Sequence, residues 1–221
     1  MRSWPLAALL ALWGLIPVGA SARQVADWLV AQSGAPREIR QVARFTPDSP
    51  KILGADPLTY APGYPFDFIA IPPGPVEVVA LLEPVEGRVA LAAMIFVNAA
   101  PACGGEAGAI WVDSGTASFL TPATAASLNA MRQDYQQRGL NLYDDYFADP
   151  AQMGDSVFAR MLTLPDGSAF PGFSSGWGDG AYPVVTLYDA QGKMLALYAD
   201  FIGNDQTEGF ILPPPCQTAG T

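Results

Sequence analysis

Four aspartates stand where a carboxylate could do chemistry. Asp113 ends an apolar run in Trp111-Val112-Asp113-Ser114-Gly115, and Asp200 interrupts Tyr198-Ala199-Asp200-Phe201. Asp56 occupies a turn-like Gly54-Ala55-Asp56-Pro57, and Asp179 lies in the glycine-rich Ser174-Ser175-Gly176-Trp177-Gly178-Asp179-Gly180. Withdrawing a carboxylate from water is costly unless it is paired or hydrogen-bonded, and crowding several together raises one pKa, as a general acid requires. Two carboxyl groups flanking a sugar can cleave a glycosidic bond, one as acid and one as base or nucleophile. Asp113 and Asp179 are the candidates for that pair, with Trp177 as a stacking face. The same oxygens could form a cage for calcium. Each aspartate alone also fits a plainer role, accepting backbone N–H groups at a turn or strand end.

Other chemistries are excluded by what the chain lacks. It has no histidine, so neither a Ser-His-Asp device nor a His-ligated zinc or copper site can be built. Its two cysteines, Cys103 and Cys216, are too few for a thiolate zinc site and are not in a CxxC spacing. In an oxidising compartment they pair most simply as one disulfide, which would stabilise the fold by about 4–5 kcal/mol if unstrained. The loop Gly176-Trp177-Gly178-Asp179-Gly180 has no adjacent lysine and no following helical pattern, so it is not a phosphate-binding loop. It reads as a tight turn, or as the rim of a pocket.

The elements that must position these groups are mainly strands. Short apolar runs punctuated by Pro and Gly predict strands over Phe66–Ile71, Val76–Leu82, Val89–Val97, Ala109–Val112, Ser118–Leu120, Phe158–Leu164, Tyr182–Tyr188 and Met194–Ile202. Glu86-Gly87-Arg88 and Asp189-Ala190-Gln191-Gly192 read as hairpin connections. In the last strand Leu195, Leu197, Ala199 and Phe201 alternate with Met194, Ala196, Tyr198 and Ile202. Both faces are apolar, which predicts an inner strand covered on two sides.

Two helices complete the pattern: a short one over Gln24–Gln32, and a longer one that Thr121 caps, Pro122 begins and Gly139 closes. Leu128, Met131 and Tyr135 form the apolar stripe of the second helix, against a polar face of Asn129, Arg132 and Gln133. Leu140–Gly154 carries Asp144, Asp145 and Asp149 among aromatic rings and reads as an acidic connection. The expected fold is mainly β, with α+β as the variant: an antiparallel sandwich or partly closed barrel with two peripheral helices.

The N-terminus has the form of a cleavable signal peptide over residues 1–22. Arg2 supplies the positive end, Leu6–Val18 is apolar, and Ala20-Ser21-Ala22 is a small-x-small cleavage site. The apolar run is too short to span a bilayer as a helix, so no stable membrane anchor is expected after cleavage. Residues 23–221 then form one β-rich domain, exported to the periplasm or the cell exterior. A formal charge of −10 argues against nucleic acid or an anionic membrane as partner.

The series Ala55-Asp56-Pro57-Leu58, Tyr64-Pro65-Phe66, Ile71-Pro72-Pro73-Gly74, Arg88-Val89-Ala90, Val112-Asp113-Ser114-Gly115 and Ser118-Phe119-Leu120 resembles the bacterial domain-of-unknown-function family numbered 4241. The likeness continues through Ser175-Gly176-Trp177-Gly178-Asp179-Gly180-Ala181-Tyr182-Pro183 to Asp200-Phe201, covering about residues 51–202. The resemblance brings no activity with it. It does place Asp56, Asp113, Asp179, Tyr182 and Asp200 on motif positions, with Ala55 standing where many members carry Cys.

The functional expectation is an exported, non-catalytic binding or interaction module for an unknown protein or small-molecule ligand. Asp56, Trp177, Tyr182 and Asp200 are its candidate ligand-binding residues; no cofactor is expected, and calcium is the one ion the carboxylates could take. The alternative is a carboxylate-dependent, glycosidase-like hydrolase built on Asp113 and Asp179.

Overall fold

The structure, a computed structural model, describes residues 23–207 and 209–217. The signal peptide expected over residues 1–22 lies outside the described residues. In chain order the elements are α1 (Arg23–Gln32), β1 (Glu38–Phe45), β2 (Lys51–Ala55), β3 (Ile69–Ala70), β4 (Val76–Leu82), β5 (Val89–Ile95), β6 (Cys103–Val112) and β7 (Thr116–Leu120). There follow α2 (Pro122–Gln137), a π-helical turn (Tyr143–Phe147), β8 (Ala159–Thr163), β9 (Ala169–Ser174), β10 (Gly180–Tyr188) and β11 (Met194–Asp200).

Two antiparallel sheets result, of order β1-β4-β5-β11-β10-β6 and β3-β2-β7-β9-β8. They stack as a sandwich; neither closes into a barrel. Side-chain alternation explains why both sheets are covered on two faces. In β4, Val78, Ala80 and Leu82 join the core between the sheets, while Val79 and Leu81 turn to the opposite side. There they meet Val25, Ala26 and Leu29, the buried stripe of α1. The outer face of the second sheet is covered by Ala125, Leu128 and Met131 of α2. Each helix therefore forms an outer layer, giving four layers: helix, sheet, sheet, helix.

The central strand β11 is buried on both faces as its sequence predicts, but its first two residues change side, Met194 packing against the inter-sheet core. Leu195 joins Tyr198 against α1 instead of following Leu197 and Ala199 into the inter-sheet core. The pairing with β10 slips between Leu187 and Tyr188, a bulge that resets the alternation. The long helix begins as expected, with Thr121 and Thr124 exchanging bonds in a capping box, 3.2 Å for Thr124 N to Thr121 Oγ1 and 2.8 Å for the reverse. Its polar face needs correction: Arg132 is drawn inward to donate to the carbonyls of Pro57 and Leu58.

Three strands escape the periodicity: β1, β2 and β9. The predicted strand over Phe66–Ile71 shrinks to Ile69–Ala70, because Phe66 and Phe68 pack their rings against the second sheet's outer cluster. Cys103 and Cys216 are bonded, with Cα atoms 4.8 Å apart and 113 residues between them in sequence. Next to the disulfide, Gly104 N donates to Pro214 O at 3.0 Å. A Cβ on Gly104 would lie 2.1 Å from the Thr186 carbonyl oxygen of β10 and 2.6 Å from Pro213 Cγ, so glycine lets both the neighbouring strand and the tail approach. No helix among the described residues is long and apolar enough to cross a membrane.

Candidate functional site

The candidate residues gather where the chain leaves β6 in one sheet and enters β7 in the other. The connection is Asp113-Ser114-Gly115, and two aspartates hold it. Asp56, sealed from solvent, accepts from Leu58 N (2.8 Å) and Ser114 Oγ (2.8 Å) through Oδ1 and from Asp113 N (2.9 Å) through Oδ2. The first contact is an Asx-turn, built by the Asp-Pro step that follows β2. Asp179 accepts from Gly115 N at 3.0 Å. Gly115 has φ +66°, a conformation suited to glycine, and its carbonyl accepts from Ser175 N at 2.9 Å.

The glycine-rich segment is a closed turn. Gly178 N donates to Ser175 O (2.8 Å), Ser175 Oγ donates to Gly178 O (2.8 Å), and Tyr182 Oη donates to the same carbonyl (2.9 Å). Gly176 has φ +50°, and a Cβ there would come within 2.7 Å of the Phe201 carbonyl oxygen. The ring of Tyr182 meets Phe201 edge-on at 5.3 Å. Burial pushes its phenol pKa up, and Asp179 adds to the rise.

Asp200 closes a different junction. It too is sealed, and it accepts from Gly203 N (2.7 Å), Ile202 N (3.3 Å) and Ile211 N (2.7 Å), fastening the C-terminal tail to the end of β11. Burial pushes its pKa up, against the opposing effect of those three amides and of Arg37. Asp56 and Asp200 thus hold backbone rather than open space. Asp113 is different: its side chain is exposed, and among the described residues its carboxylate has no partner. Among the described residues no group of three or more His, Cys, Asp or Glu is arranged to hold a metal ion.

Trp177, at the tip of the same turn, is 65% exposed. The Arg88 guanidinium lies 4.7 Å from its ring centroid and donates to Gly176 O at 3.2 Å, while also pairing with Glu86. This stack walls an open groove of about 350 Å³ that Ser156, Ser175 and Gly115 also line. Asp113 and Asp179 do not line that groove. Arg88 was legible only as part of the hairpin connection Glu86-Gly87-Arg88 and of the series Arg88-Val89-Ala90; its role depends on the β4–β5 hairpin bringing it across to Trp177. Arg132, facing the Asp56 turn, had a weaker signal: it borders the stripe formed by Leu128 and Met131.

No curated protein and no solved structure matches the chain. A family model does match, beginning within β5 and ending within β11. It takes in Asp113, Trp177, Asp179 and Tyr182, and leaves the Asp56 turn, Arg88 and the Asp200-Phe201 end outside. Over residues 92–199 the chain matches the model of the family described as Protein of unknown function (DUF4241), the one its motifs resemble.

Proposed function

We propose that the protein is an exported, non-catalytic binding module whose ligand lies on the indole of Trp177 in the Arg88 groove. One observation carries this reading: a tryptophan at a turn tip stays largely in solvent while a guanidinium holds one of its faces. An indole fixed in this way offers its other face to the C–H surface of a sugar ring or to another flat apolar group. Ser156 and Glu86 stand nearby for hydroxyl groups. The groove volume suits a small ligand.

Export is supported by the signal-like N-terminus and by the disulfide, which persists in oxidising compartments. A two-carboxylate hydrolase would need its acid and its base or nucleophile facing each other across the ligand. Here Asp179 is engaged by Gly115 N, and neither it nor Asp113 shares the groove with Trp177.

The test is to titrate the purified protein with neutral di- and tetrasaccharides, following indole fluorescence, and then to chromatograph the recovered sugar. Saturable quenching with the sugar intact supports the binding module. Cleaved sugar, with cleavage lost in Asp179→Asn, would replace it with the hydrolase.

A further inference from the structure

We propose a second site, separate from the Trp177 groove: a pocket for a single carboxylate on an apolar body, with Arg132 as its charge partner. The cavity, about 500 Å³, lies between α2 and the segment that follows it. Leu58, Tyr135, Leu142 and Tyr143 supply apolar walls, and among the described residues Arg132 is the only charged one lining it.

Two inward-drawn arginines differ in what their guanidinium groups meet. Arg37 meets Asp205 through two contacts, 2.6 Å and 3.2 Å. Arg132 forms no ion pair within 4 Å among the described residues; it donates to Leu58 O and, at 3.0 Å, to Pro57 O. A guanidinium has five N–H donors, so most of its hydrogen-bonding capacity is left over. Asp56 is the opposing charge that acts on it, but its oxygens already accept from Leu58 N, Ser114 Oγ and Asp113 N. Burial pushes the Arg132 pKa down, as expected of a cation short of a direct counterion.

A second donor stands on the same wall. Asn141 Oδ1 accepts from Tyr143 N (2.8 Å) and Asp144 N (3.1 Å), which fixes the amide and leaves its Nδ2 without an acceptor among the described residues. One guanidinium, one amide and no second cation suit a monoanion better than a phosphate, while the aromatic and leucine walls suit an apolar body. Small organic acids and the free C-terminus of a peptide share this chemistry.

Calorimetric titration of the purified protein would use phenylacetate against phenylacetamide, and a short leucine-ended peptide with a free against an amidated C-terminus. At least one acid should bind saturably, and its amide at least about tenfold more weakly. Whichever acid binds identifies the source. Arg132→Lys keeps the charge but loses the fork and should weaken binding at least about fivefold. Because Arg132 also braces the Asp56 turn, Tyr143→Ala provides a variant on the exposed rim, with the same direction expected. Trp177→Ala should leave this binding unchanged, so failure here is distinguishable from failure of the groove. Equal binding of acid and amide, no binding of any probe, or full affinity in Tyr143→Ala would overturn the proposal.

Discussion

At the corner between the sheets, Asp56 is sealed from water and both of its carboxylate oxygens accept hydrogen bonds. At the tip of the neighbouring turn, Trp177 stands 65% exposed with a guanidinium against it. The two regions share one piece of backbone, since Asp179 ties the corner to the turn that carries Trp177. Their difference separates two uses of conspicuous residues. The buried carboxylates satisfy amides that the sheet crossing leaves unpaired, which is a folding role. The indole satisfies no backbone group of the fold: Arg88 covers one face, and most of the ring is left for something outside.

The largest effect should come from the sealed side. Asp56→Ala strands the amides of Leu58 and Asp113 and the Ser114 hydroxyl, and should cost about 3–5 kcal/mol in a urea melt. A loss below about 1 kcal/mol would mean the corner does not depend on it. Asp200→Asn should cost about 2 kcal/mol, because the new amide turns a donor toward either Ile211 N or the Gly203 side.

The Asp200 substitution also carries a pH signature. Burial raises the folded-state pKa of Asp200 above its unfolded value, so the native state holds this proton more tightly. Its contribution to stability is present below the ordinary carboxylate range and is lost as pH rises through the raised folded value. The deficit of Asp200→Asn relative to wild type should therefore be larger in acid and shrink toward neutral pH. A deficit that grows with pH would reverse the assignment.

Gly176→Ala acts on the link between the two regions. Its φ of +50° and the 2.7 Å approach to the Phe201 carbonyl predict a loss of about 2 kcal/mol together with a displaced Trp177. The smallest effect belongs to Asp179→Asn, whose Oδ1 still accepts from Gly115 N; it should change stability by less than about 1 kcal/mol.

How far the sequence reached depended on the range of the signal. β4, β5 and β11 were readable because their apolar runs are long and uninterrupted. β9 was hidden by Pro171 and Gly172, which resemble loop residues. The β7 ladder ends at Gly172, so Pro171 lies past the doubly paired stretch. Gly172 lets Leu162 approach to where a Cβ would be 2.4 Å away. At the site, the local Asx-turn of Asp56 was legible from Asp56-Pro57. Its reach to Asp113 N, 57 residues on, was not, because only the sheet crossing brings them together. Arg88 and Trp177 were invisible as a pair for the same reason.

The most direct test of the account is to compare oligosaccharide binding by wild type, Trp177→Ala and the double variant Asp113→Asn/Asp179→Asn, each first confirmed folded by its melt. The account predicts saturable binding by wild type, retained in the double variant and weakened at least about tenfold in Trp177→Ala. Binding lost in the double variant but kept in Trp177→Ala would contradict it, returning the function to the carboxylates.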